Sequence, residues 1–170
     1  MNKHQVSVAA ESLTATLFAW TGFDVSVQYG ANQPEYDLVV VRGDNLIKVS
    51  VKGSKDGKWG LTQSYKNETT SYHEAADIWV SKHGNKTVLS LVQFEDVNLE
   101  LGELPRVYLA TPYEIGEYLK RSKNGTGDTR VKEEHFWTSG MAVGTTDKIP
   151  DEWKFSRNRI EELINSLCNL

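Results

Sequence analysis

Pro34-Glu35-Tyr36-Asp37-Leu38-Val39-Val40-Val41-Arg42-Gly43-Asp44-Asn45-Leu46-Ile47-Lys48-Val49-Ser50-Val51-Lys52-Gly53-Ser54-Lys55-Asp56-Gly57-Lys58-Trp59-Gly60 is the stretch on which the fold turns. Tyr36 to Arg42 is rich in β-branched residues, Gly43-Asp44-Asn45 is turn chemistry, and Leu46 to Lys52 alternates strictly. The spacing predicts a hairpin closed by Gly43-Asp44 as a two-residue turn, with glycine in the first central position. That turn sets Arg42 opposite Asn45, so Asp37 falls opposite Ser50 and Glu35 opposite Lys52. Directly opposed residues share a sheet face. Ile47, Val49 and Val51 therefore point one way, and Lys48, Ser50 and Lys52 the other. An acid or a lysine buried without a partner costs several kcal/mol, so these charges are either paired or functional.

Before the hairpin, Val6, Ala9, Ala10, Leu13, Leu17 and Trp20 recur at helical spacing over residues 4 to 20, with Glu11 off the centre of the stripe. Thr21-Gly22 ends that helix, Phe23 to Val27 reads as a short strand, and Gly30 to Pro34 as a loop. The domain thus opens α-β-β-β. After the hairpin, residues 53 to 66 read as a glycine-rich polar loop with a short strand at Trp59 to Thr62, followed by a helix over 70 to 82. Thr87 to Phe94 is a buried strand, Val97 to Glu103 an acidic loop and Arg106 to Ala110 a further strand. Thr111-Pro112-Tyr113-Glu114 starts the next helix, with Thr as N-cap, Pro in the first turn and Glu three residues along. A last helix runs from about Ser156 to Leu167. This order predicts an α/β fold, a mixed central sheet flanked by helices.

With 170 residues, 39% of them hydrophobic, the chain is long enough for one core, and a single domain over residues 1–170 is expected. A net charge of −4 argues against a general polyanion binder but leaves room for a local basic groove. The lone Cys168 permits no internal disulfide. No apolar run approaches ~18 residues, and the N-terminal segment carries Glu11 instead of a signal core. A cytoplasmic protein with no membrane partner is the expectation, and a homo-oligomer stays open. His73 and Asp77 have the spacing of half a helical zinc motif, but no third ligand accompanies them, and a helix surface is the simpler reading.

Glu11, Asp37 and the run Val49-Ser50-Val51-Lys52 together resemble the PD-(D/E)XK, or restriction-endonuclease-like, nuclease superfamily. That family's core is a helix carrying Glu, a hairpin whose first strand presents Asp, and a second strand carrying (D/E/Q)-x-K. The resemblance covers about residues 5–94 and leaves 95–170 as a C-terminal β/α extension. It implies a DNA endonuclease in restriction, repair or defence, with Glu11, Asp37 and Lys52 catalytic and Mg²⁺ (or Mn²⁺) as cofactor. Phosphodiester hydrolysis needs a hard cation held by a few carboxylates, and a lysine to stabilise phosphate charge or orient the attacking water. The chain departs from the pattern at Ser50, where the family has Glu, Asp or Gln. On the implied metal face Glu11 and Asp37 remain, and Glu35 is the candidate to replace the missing ligand. The dipeptide Tyr36-Asp37 also replaces Pro-Asp.

Two other readings stand beside this one. Asp37 or Glu35 could pair with Lys52 simply as a charged pair at the mouth of the sheet. Alternatively, the fold could be kept and catalysis lost at Ser50, leaving a binding or assembly module. Lys55, Lys58, Trp59, Gln63 and Lys66 mix cations, an amide and an aromatic after Lys52 and are the candidate nucleic-acid contacts. A solvated loop anchored in the core by Trp59 is the competing expectation.

Overall fold

A computed structural model describes residues 1–28 and 35–168. The loop expected over Gly30 to Pro34 lies outside the described residues. In chain order the elements are α1 (Lys3–Trp20), β1 (Asp24–Val27), β2 (Leu38–Arg42), β3 (Asn45–Ser54), β4 (Lys58–Gly60), α2 (Tyr72–Ser81), β5 (Thr87–Gln93), β6 (Arg106–Ala110), α3 (Pro112–Arg121), β7 (Arg130–Lys132), β8 (Glu134–Phe136), β9 (Thr146–Lys148) and α4 (Arg157–Cys168). The protein is mixed α/β. None of its described helices is long and apolar enough to cross a membrane.

The chain divides into two compact units. One unit holds Met1–Asp56, Asn85–Thr111 and Glu152–Leu170; the other holds Gly57–Gly84 and Pro112–Asp151. The second unit is thus built from two segments inserted between elements of the first.

The first unit contains a five-stranded sheet in the order β1-β2-β3-β5-β6. Pairs β1–β2, β2–β3 and β5–β6 are antiparallel, while β3 and β5 run parallel. The hairpin register is the one the turn dictates, with Arg42 opposite Asn45 and Leu38 opposite Val49. Gly43 has φ +61, which a glycine in the first central position accepts without strain. The core lies on the face carrying Leu38, Val40, Ile47 and Val49, where Ala10 and Phe18 of α1 and Ile160, Leu163 and Ile164 of α4 join it.

Helix α1 buries Val6, Ala10, Thr14 and Phe18, a line centred differently from the apolar stripe in the sequence. Trp20, expected in the stripe, is 75% exposed. Thr14 takes a core position because its Oγ1 lies 2.9 Å from the Ser90 Oγ on β5, so two buried hydroxyls satisfy each other. The close approach of α1 to β3 depends on Gly53. A Cβ there would stand 2.7 Å from Val6 Cγ1, 3.0 Å from the Val6 carbonyl oxygen and 3.1 Å from Ala10 Cβ. Gly53→Val is therefore expected to lower stability by about 1–3 kcal/mol, read from the urea midpoint, because the helix backbone itself must shift.

The second unit pairs β4 with β7 and β8 with β9 as two small antiparallel sheets. Helix α2 begins with a reciprocal cap, Ser71 Oγ accepting from the Glu74 N–H and Glu74 Oε2 from the Ser71 N–H. His73 and Asp77 have structural partners here. His73 Nε2 lies 3.0 Å from the Gly125 carbonyl oxygen, and Asp77 pairs with Lys120 of α3 at 2.5 Å.

Candidate active site

The candidate site forms where β2 parts from β3. The Asp37 N–H donates to the Val49 carbonyl (2.8 Å), and the Asp37 carbonyl accepts from the Gln28 N–H (2.9 Å). Two residues further along β3, the Val51 N–H donates to Asp37 Oδ2 at 2.6 Å. In a continuing ladder that N–H would find a backbone carbonyl of the partner strand. Here the Asp37 carboxylate takes that place, so its position is fixed by the backbone on both sides of the hairpin.

This corrects the expected pairing beyond Asp37. The register runs to Leu38 opposite Val49, with the Asp37 N–H as the last rung, and does not continue to Glu35 opposite Lys52. The physical reason is that the Asp37 side chain occupies the donor the next rung would need. Glu35 is exposed, and it is absent from the charges that act on Glu11.

On β3, Lys48, Ser50 and Lys52 share a face by the alternation of the strand. Ser50 is buried (2% exposed), whereas Lys52 is exposed. The loop after Lys52 is held by Ser54, whose Oγ donates to Asp56 Oδ1 (3.0 Å) and accepts from Gln93 Nε2 (3.4 Å).

Glu11 reaches the same place from α1, on the flank of the buried line opposite to Leu13 and Leu17. Burial raises its carboxyl above the ordinary range, and the negative charge of Asp37 raises it further. Lys52 and then His4 oppose the rise. Asp37 and Lys52, far from Glu11 in sequence, are thus among the charges that act on it. His4 was not singled out from the sequence. The available signal was its spacing from Glu11, two helical turns on one face.

The loop residues fall in both units. Lys55, in the first unit, donates from Nζ to the Met1 carbonyl (2.7 Å). Lys58, Trp59, Gln63 and Lys66 belong to the second unit. Trp59 is buried (3% exposed) and serves as the core anchor, with no ring face open for a base. Gln63 lies against Gly60, while Lys66 bonds the Asn67 carbonyl (2.7 Å) and covers the Tyr72 ring.

Among the described residues no group of three His, Cys, Asp or Glu side chains could hold a metal ion. Mg²⁺, however, is commonly bound through one or two carboxylates, keeping several waters and taking substrate phosphate oxygens. Glu11 and Asp37, two hard oxygen donors that repel each other, fit that mode of binding. The chain matches no protein-family model and no curated protein.

Proposed function

We propose that this protein is a metal-dependent nuclease of the PD-(D/E)XK type, hydrolysing phosphodiester bonds in DNA. The observation that supports this reading is that Asp37, just before β2, and Lys52, on β3, are among the charges that act on Glu11 of α1, with Asp37 held by the Val51 N–H. Glu11 and Asp37 would hold Mg²⁺ or Mn²⁺, which when bound supplies a Lewis acid for phosphate oxygen and a more acidic water. Lys52, exposed on its strand, places a positive charge where the phosphate gains negative charge and orients the attacking water. The Val51 N–H fixes Asp37, so little reorganisation is needed at that carboxylate. One observation favours the second reading, a nuclease fold retained as a binding or assembly module: neutral, buried Ser50 stands at the family's acidic position.

Ser50 separates the two. In an enzyme that binds metal weakly, Ser50→Glu adds a third donor and is expected to strengthen Mg²⁺ or Mn²⁺ binding about tenfold, ~1.4 kcal/mol. The binding is read from the rise in melting temperature with metal, and plasmid cleavage is read alongside it. Because Ser50 is buried, the smaller Ser50→Asp is run in parallel. If wild type and both variants fold, yet none cleaves DNA or RNA and none is stabilised by either metal, the enzyme reading fails.

A further inference from the structure

The flank of α1 opposite Glu11 carries Leu13, Leu17 and, continuing the stripe, the exposed Trp20. Leu13 and Leu17 form one wall of a cleft of about 300 Å³, completed by Leu104, Val107 and Phe155 within the same unit. Arg106 and Lys154 also line it, and both have partners of their own. Leu104 is itself 68% exposed, and a few residues before it in the chain Leu99 (80% exposed) and Leu101 (73%) are exposed as well.

These leucines stand on a loop closed by its own hydrogen bonds. The Asn98 N–H donates to Glu103 Oε2 (2.9 Å), the Glu103 N–H to the Asn98 carbonyl (3.2 Å) and the Glu100 N–H to Asn98 Oδ1 (2.9 Å). Gly102, with φ +70, makes the reversal. The loop therefore holds its leucines outward in a fixed arrangement. Interleaved with them are Glu95, Asp96, Glu100 and Glu103, and no Lys, Arg or His occurs from Phe94 to Pro105. An exposed apolar patch with a charged rim marks an interaction surface, and the sign of the rim selects the partner. Four carboxylates repel nucleic acid and anionic lipid alike.

We infer that this acidic leucine loop and the cleft beside it dock an amphipathic helix of a partner protein, its apolar face entering the cleft and its Lys or Arg residues meeting the rim. A cleft of this size, at the lower end of the ~300–1,000 Å³ range of ligand sites, takes a few anchoring side chains, as helix-in-groove recognition requires. The surface is separate from the candidate active site and does not depend on the nuclease reading.

The probe is a fluorescein-labelled 18-residue peptide with leucines at helical spacing and lysines elsewhere. Its control has glutamate for every lysine. Wild type is expected to raise the anisotropy of the lysine peptide and leave the glutamate peptide unchanged. The variant carrying Leu99→Ser, Leu101→Ser and Leu104→Ser is expected to bind at least tenfold more weakly. These side chains are exposed, so the fold survives, as far-UV circular dichroism will check. Glu100→Gln with Glu103→Gln keeps the acceptor that closes the loop. It is expected to weaken binding several-fold and flatten its salt dependence. Undiminished binding by the leucine variant overturns the proposal, since the peptide then adheres by charge alone. So does a wild-type dimer in sedimentation that the leucine variant abolishes, because a second copy then fills the cleft. Leucine-dependent binding to phosphatidylcholine vesicles overturns it in favour of a lipid surface.

Discussion

Asp128→Ala is expected to destabilise the second unit by about 2–3 kcal/mol, the cost of leaving two partly buried cations without their buried counter-ion and two backbone N–H groups without their acceptor. Asp128 is 5% exposed and serves several donors at once. Its Oδ1 accepts from the Thr129 N–H (2.7 Å) and the Arg130 N–H (3.3 Å). Its Oδ2 pairs closely with Lys132 and lies 3.5 Å from Lys123 Nζ. Both lysines are held against aromatic rings, Lys132 Nζ at 4.2 Å from the Trp137 centroid and Lys123 Nζ at 5.1 Å. Trp137 in turn donates from Nε1 to Asp147 Oδ2 (2.8 Å), and the Lys123 N–H reaches the same carboxylate (3.1 Å). Removing Asp128 leaves two neighbouring positive charges, both partly withdrawn from solvent, without the carboxylate they share.

The same group predicts acid sensitivity. Burial pushes the Asp128 carboxyl upward, but hydrogen bonding and charge from Lys132, the charge of Lys123 and the Thr129 N–H outweigh it, and the net shift is downward. A carboxyl depressed by folding contributes stability that is full above its unfolded value, about 3.9. That stability is lost as pH falls through the lower folded value. Wild type should therefore lose stability below about pH 4, and Asp128→Ala should lack that part of the loss. Urea midpoints taken across acid pH, with unfolding followed by near-UV circular dichroism, give both quantities. Adding Lys132→Met to Asp128→Ala should recover part of the stability, since an apolar side chain needs no counter-ion. Were the single variant as stable as wild type, the cluster would be an exposed pair of little energetic consequence.

What the sequence made legible depended on how local the physics was. The hairpin register followed from one glycine turn, and α3 begins at Pro112 as the Thr111-Pro112-Tyr113-Glu114 pattern dictates. The strand Arg106–Ala110 and the helices also stand within a residue or two of their sequence limits. The misplacements came where tertiary contacts decide. Thr14 is buried through a hydroxyl partner on β5, distant in sequence, and Trp20 stands exposed, off the buried line of Val6, Ala10, Thr14 and Phe18. Strands β7, β8 and β9 span three residues each, too short for any periodicity to register. The interleaving of two units leaves no local mark, because its crossings fall in ordinary loops. Within the candidate site, the set Glu11, Asp37 and Lys52 came from the family resemblance, and the hairpin spacing placed Asp37 and Lys52 in neighbouring strands. The carboxylate cap that ends the ladder before Glu35 was not, because alternation alone continues a strand until something takes its hydrogen bonds.

On the proposed nuclease reading, Lys52→Ala is expected to lower phosphodiester cleavage by about 10²–10⁴-fold, the range for removing one acid–base or charge-stabilising group from an active site. Lys52 is exposed at the end of β3, so alanine there leaves the core side chains Val49 and Val51 in place and the fold intact. The loss should fall on kcat, since the charge is needed most where the phosphate gains negative charge. A salt-bridge role would instead leave cleavage unchanged and show only as a small change in melting temperature. The pH profile supplies a second readout. Lys52 and His4 both hold Glu11 down against burial and Asp37, so removing Lys52 lets the Glu11 carboxyl rise further. A carboxylate that must be ionised to act fails once pH drops through its own value. The acid limb of residual activity in Lys52→Ala should therefore move to higher pH, while Lys52→Arg, which keeps the charge, should hold the limb where wild type has it. A profile in which alanine and arginine variants share one acid limb would separate Lys52 from Glu11 and remove the electrostatic basis for placing them in one site.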